Sequence, residues 1–332
     1  MDSLNVVLTG RQQVELQRET LPALPDDGIL VRTRLSLMSS GTELFCYRGE
    51  MGVGSHWAGW VRYPFYLGYS NVGQIEQVGT AVEGFQPGDR VFCTANHRQF
   101  HLQKPPVMKI PDEISDESAA WSKLATIAQT GVRRAQIEMG ARVAIVGQGP
   151  IGQLLTQYAR ALGAAEVMVI DPVRSRLEVS TAHGATQTFA ASVADAVPFV
   201  EAHTEGKLAD VVFDATGHYA VFPLALKLVR RFGMFMLIGD SPNPEKQTLT
   251  SDVLTRQITI RGTHNERLPA DEGEWSPERQ MQLFHTYLAR GQMRVDDLIT
   301  ARYSPEEAPQ VYSQLLADRS GTIGVAFDWG TV

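Results

Sequence analysis

The sequence predicts an α/β protein in two parts: a doubly wound parallel sheet inserted into a small β-barrel domain. Three observations lead there. Short strands separated by turn signals fill residues 1–110, strands alternate with amphipathic helices from about residue 118, and a glycine-rich loop joins the first buried strand of that second region to a helix. A chain of 332 residues, about twice a typical domain, agrees with two domains. The expected division is 1–121 with 265–332 for the barrel part and 122–264 for the inserted sheet.

The barrel strands come first. NVVLT (5–9), ILVRTRLSLM (29–38), NVGQIEQVG (71–79) and DRVFCTA (89–95) are short and rich in β-branched residues, and Gly-Tyr-Ser-Asn, Gly-Thr and Pro-Gly-Asp clusters punctuate them. An apolar helix is expected over 118–137, followed by a buried strand, Arg142-Val143-Ala144-Ile145-Val146, a helix over 151–163 and a second strand, Glu166-Val167-Met168-Val169-Ile170. ADVVFDATG (209–217) and FGMFMLIG (232–239) are further apolar runs ending in glycine. Continuous apolar strands between amphipathic helices mean βαβ units whose parallel sheet is covered on both faces. The tail returns to helix over 276–292 and ends in a Val-Ala-Phe strand.

Composition narrows the function classes. Thirty Lys plus Arg against 37 Asp plus Glu leave a net charge of −7, unsuited to a general binder of nucleic acid or anionic membrane. No apolar stretch approaches the roughly 20 residues that span a bilayer. The N-terminal MDSLNVVLTGRQQVELQ lacks a basic region followed by an apolar one, so no secretory signal is expected. Cys46 and Cys93 are the two cysteines, which excludes a disulfide scaffold and a Cys-rich zinc lobe and suits a reducing cytoplasm. The expected partner is a small-molecule substrate, with neither nucleic acid nor membrane.

The sharpest motif is Gly147-Gln148-Gly149-Pro150-Ile151-Gly152, placed directly after a buried strand and opening a helix. There the first glycine permits a tight turn, the second lets the backbone approach a pyrophosphate, and the third allows close helix-to-strand packing, while the helix N-terminus supplies amides and partial positive charge. Asp171 lies 19 residues beyond Gly152, at the end of the next strand, where a carboxylate accepts hydrogen bonds from adenosine ribose hydroxyls. The same carboxylate repels a 2′-phosphate, so a Rossmann domain preferring NAD(H) is expected. Arg174 and Arg176 keep NADP(H) open, with a solvated helix start as the alternative reading.

With these residues placed, the chain resembles the medium-chain dehydrogenase/reductase family over nearly its whole length. Pro87-Gly88-Asp89-Arg90-Val91, Lys109-Ile110-Pro111-Asp112, Asp214-Ala215-Thr216-Gly217 and the stretch Phe232–Gly239 support the resemblance, and Gly68-Tyr69-Ser70-Asn71-Val72-Gly73 looks like that family's Gly-His-Glu segment. The resemblance implies a GroES-like barrel domain beside the Rossmann domain, hydride transfer between nicotinamide and an alcohol or carbonyl, Thr216 and Gly217 as cofactor-lining residues, and a homodimer or homotetramer.

The departures concern the metal. Zinc members place a cysteine where this chain reads Ser40-Gly41-Thr42-Glu43, the histidine of Gly-His-Glu is Tyr69, and the glutamate that polyol-type members carry 24 residues before the nucleotide loop is Lys123. Ser, Tyr and Lys replace the thiolate, imidazole and carboxylate that tetrahedral zinc requires, so no metal is expected. Zinc stabilises developing alkoxide charge in its enzymes, and Lys123 is the expected replacement, its ammonium taking roughly the lost ion's place. Tyr69 either donates to the same oxygen, acts as the acid/base itself or merely fills the vacated volume. Thr42 matches the hydroxyl that relays the substrate proton in zinc relatives, Ser40 either extends that relay or packs, and Glu43 is expected to orient its neighbours. His97 and His101, four residues apart on a stretch that reads as strand, are not placed to share a metal. His264 is an ordinary loop histidine unless it reaches the site.

Trp57, Trp60, Tyr63, Phe65, Tyr66 and Tyr69 form a dense aromatic run. It suits a bulky apolar substrate or stacking on a sugar ring, with barrel or subunit packing as the alternative. The Ser-Gly-Thr-Glu variant looks most like the zinc-free branch containing the dehydrogenase that acts on the 3-hydroxyethyl group of bacteriochlorophyllide, and is similar to sugar and polyol dehydrogenases. The expected activity is NAD(H)-dependent interconversion of a secondary alcohol (sugar, polyol or bulky aromatic alcohol) and a ketone without zinc. The rivals are a zinc-free enoyl or quinone reductase and a non-catalytic NAD(H)-binding redox sensor.

Overall fold

The computed structural model describes residues 1–105, 107–268 and 273–332, and the chain divides into two units. The first comprises 1–50, 58–123 and 282–332; the second comprises 51–57 and 124–281. The sequence expectation set the crossings at 121/122 and 264/265. In the structure the last part of the second unit includes the first turn of the helix Pro277–Ala289, and the short segment 51–57 joins that unit through the Gly52 amide, which donates to the Pro242 carbonyl at 2.8 Å.

The first unit is built on eight early strands: β1 (Asp2–Gly10), β2 (Gln13–Thr20), β3 (Ile29–Leu37), β4 (Phe65–Tyr66), β5 (Asn71–Val78), β6 (Arg90–Cys93), β7 (Phe100–Gln103) and β8 (Met108–Lys109). β1 pairs antiparallel with β2 and β4, while β3 pairs antiparallel with β5 and β7. Inward residues at alternate positions, Ile29 and Val31 on β3 with Ile75, Val91 and Cys93 opposite, make its core. The expected helix over 118–137 is two pieces, Asp116–Ala119 and Ser122–Arg134. The Ser70 hydroxyl takes the Ala120 carbonyl at 2.5 Å and the Trp121 ring is fully buried, so the chain turns there before resuming the helix that carries Lys123.

The second unit contains β9 (Arg142–Val146), β10 (Glu166–Ile170), β11 (Gln187–Phe189), β12 (Ala209–Asp214), β13 (Val229–Leu237) and β14 (Thr259–Gly262). All pairs are parallel, in the spatial order β11-β10-β9-β12-β13-β14. Counted within the unit this is 3-2-1-4-5-6, the doubly wound dinucleotide order, whose direction reverses between β9 and β12. Ala144, Val146, Met168, Ile170, Val212 and Phe235 are buried together on the sheet, which explains the uninterrupted apolar runs. The chain then returns to the first unit through β15 (Ile299–Tyr303) and β16 (Gly324–Asp328), and β16 adds antiparallel to β3. Among the described residues no helix is long and apolar enough to cross a membrane.

Candidate active site

The glycine loop follows β9 with the backbone the motif requires. Gly147 has φ +92°, a conformation that strains any residue with a side chain. A Cβ on Gly152 would run into the Gly147 carbonyl, whereas one on Gly149 would meet nothing within 4 Å. Gly149 precedes the helix Pro150–Ala161, with Ile151 in its first turn, and no side chain caps that helix, so its first amides remain for an anionic ligand. Asp171, at the end of β10, is nearly buried and accepts from the Gln148 amide at 2.7 Å and the Val173 amide at 2.8 Å. Arg176 Nη1 is 4.0 Å from the same carboxylate. At the end of β12, Asp214 accepts from the Thr216 amide at 2.9 Å and its hydroxyl at 2.6 Å, which turns the chain into Gly217 at φ +64°. The Thr216 methyl borders Gly147: a Cβ there would come within 2.8 Å of it. Strand ends, glycine loop and helix terminus therefore converge at the topological switch point, and these residues fit a dinucleotide.

The first unit presents a pocket of about 370 Å³. The helix Ser40–Arg48, absent from the sequence expectations, places Thr42, Glu43 and Cys46 on one wall, and Tyr69 faces it from the segment between β4 and β5. The Tyr69 hydroxyl donates to Ser39 Oγ and lies 3.3 Å from Thr42 Oγ1. Thus the structure brings Tyr69 and Thr42 together, and the second hydroxyl against Tyr69 is that of Ser39 instead of Ser40. Ser40 starts the helix and is buried. Burial, opposed by the bonds to Ser39 and Thr42, pushes the Tyr69 phenol up to about 12, so it is a donor across the physiological range.

Beneath this wall lies a polar network the sequence did not reveal. Glu43, 1% exposed, accepts from the Ser39 amide at 2.8 Å, from the Tyr312 hydroxyl, and from His97 Nε2 at 3.1 Å. His97 Nδ1 is 2.7 Å from Ser36 Oγ, which also accepts from Trp329 Nε1 at 2.9 Å. One hydrogen-bond arrangement joins these members: Ser36 donates to Nδ1, and His97 Nε2 donates to Glu43. His101 takes no part. It sits on β7, fully buried, with neither ring nitrogen hydrogen-bonded, and burial holds it down to about 3. His264 is on an exposed loop after β14.

Lys123 is the second residue of the helix Ser122–Arg134, three residues beyond the carbonyl that Ser70 binds. Burial lowers its amine from the ordinary 10.5 to about 8. Among the described residues no group of three or more His, Cys, Asp or Glu side chains could hold a metal ion. The donor set of Ser40, Tyr69 and Lys123 does not fit zinc.

Residues 26–114 match the alcohol dehydrogenase GroES-like domain and residues 150–278 the zinc-binding dehydrogenase domain. The chain is a medium-chain dehydrogenase/reductase. Its relatives include the sorbitol dehydrogenase of Bacillus subtilis, 27% identical with 91% of each chain covered. The D-xylulose reductase A of Aspergillus oryzae is 25% identical, covering 96% of this chain and 94% of that one. In fold, this dehydrogenase is similar to the alcohol dehydrogenase of Thermus sp. ATN1, with a TM-score of 0.77 and 24% identity over 98% of this chain and 99% of that one. It is an alcohol-dehydrogenase-type oxidoreductase acting on a small molecule with NAD(H).

Proposed function

We propose that this dehydrogenase interconverts a secondary alcohol and its ketone without a catalytic metal, with NAD(H) preferred over NADP(H). The observation that carries the reading is the pair of tuned protic groups on the barrel unit: a phenol kept protonated at Tyr69 and an amine brought close to neutrality at Lys123. The bound nicotinamide supplies the hydride acceptor. Oxidation then needs the hydroxyl proton removed as the carbinol hydride leaves and the C=O bond forms. Neutral Lys123 takes that proton, and Tyr69, with Thr42 beside it, turns its single O–H from Ser39 to the oxygen as its charge develops. In the reverse direction the Lys123 ammonium returns the proton. A cation supplied by the side chain thus does what a Lewis acid does in zinc enzymes. Ser40, at the start of the helix Ser40–Arg48, completes the residues assigned to the substrate pocket, and Arg176, beside Asp171, completes those assigned to the nucleotide loop. The Asp171 carboxylate supports the NAD(H) preference by its charge.

Purified protein is dialysed against chelator, analysed for zinc and assayed at 340 nm with NAD+ and secondary alcohols. The expected result is turnover with far less than one zinc per chain. Stoichiometric zinc that survives chelation, or activity restored only by added zinc, overturns the metal-free reading. NADPH oxidation by enones in place of alcohol turnover points to the reductase.

A further inference from the structure

Ser39 is the N-cap of the helix Ser40–Arg48, yet its side chain makes no capping bond. A serine there ordinarily turns its hydroxyl to an amide of the first helical turn, which is why the residue is favoured at that position. In this chain Glu43 Oε1 accepts from the Ser39 amide at 2.8 Å, and the Ser39 hydroxyl takes the O–H of Tyr69 instead. Among the described residues Tyr69 is its one hydrogen-bond partner. Both ends of that bond are braced. On the Ser39 side, Glu43 is itself held by His97 Nε2 at 3.1 Å and by the Tyr312 hydroxyl. On the Tyr69 side, the His97 amide donates to the Leu67 carbonyl at 2.8 Å and Asn96 Nδ2 to the Gly68 carbonyl at 3.0 Å. The His97 ring lies so close to Gly68 that a Cβ there would come within 2.7 Å of it. One histidine thus fixes the approach of the phenol and, through Glu43, of the hydroxyl that meets it.

Tyr69 has a single O–H, so giving it to a substrate oxygen takes it from Ser39. The Ser39 hydrogen rotates about the Cβ–Oγ bond, and turning it to Tyr69 Oη keeps the pair bonded with its polarity reversed and no heavy atom moved. Thr42 Oγ1, 3.3 Å away, reaches the same oxygen. A phenol whose oxygen accepts is a stronger donor through its own O–H, because bonds in series polarise one another. Resting on the alcohol dehydrogenase reading with Tyr69 as donor, we propose that Ser39 is a positioning residue for the reaction. It holds the Tyr69 hydrogen before substrate arrives and returns its own to the phenol oxygen as Tyr69 bonds the developing alkoxide. This use explains a serine withheld from the cap it would otherwise make.

The test uses the full chain and has one readout that needs no substrate. Difluorotyrosine is placed at position 69, where its electron-withdrawing fluorines bring the phenol's titration within reach, and is followed by fluorine NMR. Ser39→Ala should raise that titration by about one pH unit, the loss of a hydrogen bond to a charged oxygen. Its urea midpoint should stay near that of the unsubstituted chain, since no cap bond is lost. With NAD+ and the secondary alcohols 2-butanol, cyclohexanol and xylitol, Ser39→Ala should lower kcat about tenfold and leave KM within about twofold. Ser39→Thr should recover most of the loss, and Ser39→Ala added to Tyr69→Phe should lower kcat no further. An unmoved titration, an undiminished kcat, or a loss that adds in full to that of Tyr69→Phe overturns the Ser39 inference and leaves the dehydrogenase reading standing. A raised titration with no secondary alcohol oxidised by the unsubstituted protein supports the Ser39–Tyr69 pairing and overturns the dehydrogenase reading. An unmoved titration without turnover overturns both.

Discussion

His97 Nε2 lies 3.1 Å from Glu43 Oε2, with the two side chains 0% and 2% exposed. This contact joins the loop before β7 to the helix Ser40–Arg48, and through the Glu43 bond to the Ser39 amide it holds the hydroxyl that receives the Tyr69 phenol. A carboxylate buried this deeply is tolerated because donors meet it on both oxygens. The network therefore fixes where the protic groups of the pocket stand.

Tyr312 supplies one of those donors and packs between Tyr47 and Phe327, at centroid distances of 5.6 and 6.4 Å. Tyr312→Phe keeps the packing and deletes a hydrogen bond to a charged group. It should cost about 1.5–3 kcal/mol in urea unfolding. A stability change indistinguishable from zero would show that the bond contributes nothing.

The proposed mechanism requires Lys123 neutral for alcohol oxidation, and burial brings its amine to about 8. kcat/KM for oxidation should therefore rise with pH up to about 8 and then level off, while ketone reduction should fall above it. Lys123→Met should remove that limb and lower turnover by at least about tenfold, with NAD(H) affinity nearly unchanged. Tyr69→Phe should lower turnover yet keep the limb, because the phenol titrates near 12. Loss of the limb in Tyr69→Phe instead would exchange the two roles.

Asp171 anchors the Gln148 and Val173 amides, and in the proposed reading it also repels a 2′-phosphate. Asp171→Ser should lower the ratio of NAD+ to NADP+ efficiency by about tenfold or more, the worth of charge-assisted hydrogen bonds to ribose. An NADP(H) preference in the unsubstituted protein would contradict the ribose argument.

His101 titrates near 3 in the folded chain, first through burial and second through the Arg98 charge, against 6.5 unfolded. Between those pH values the unfolded chain binds one more proton at this site, so stability falls as pH drops through that window, by up to about 1.4 kcal/mol per pH unit. His101→Leu should make the decline shallower by one proton and raise Tm at pH 7, since it removes two unbonded ring nitrogens. Equal slopes for the two proteins in urea melts at pH 4.5–6.5 would refute this.

The nucleotide unit was legible almost residue by residue. Strands Arg142–Val146 and Glu166–Ile170 occupy the ranges their apolar runs predict, and the glycine loop lies between a strand and a helix as the motif demands. Those signals are local: a buried strand, a turn needing glycine and an amphipathic helix are each written in consecutive residues. The helix Ser40–Arg48 was not legible. Its buried positions, Ser40, Glu43, Leu44, Cys46 and Tyr47, mix polar and apolar side chains and so show no clean apolar stripe.

What the sequence alone determined was the nucleotide-binding architecture and that Ser40, Tyr69 and Lys123 stand where zinc relatives carry metal ligands. Only the tertiary structure decided what surrounds Tyr69 and what holds its neighbours. Glu43 finds its partners 54 and 269 residues away, at His97 and Tyr312, and Tyr69 finds Ser39 across 30. Such pairs carry no periodic signal, because a buried carboxylate is satisfied by whatever donors the folded chain brings to it, whatever their distance along the chain.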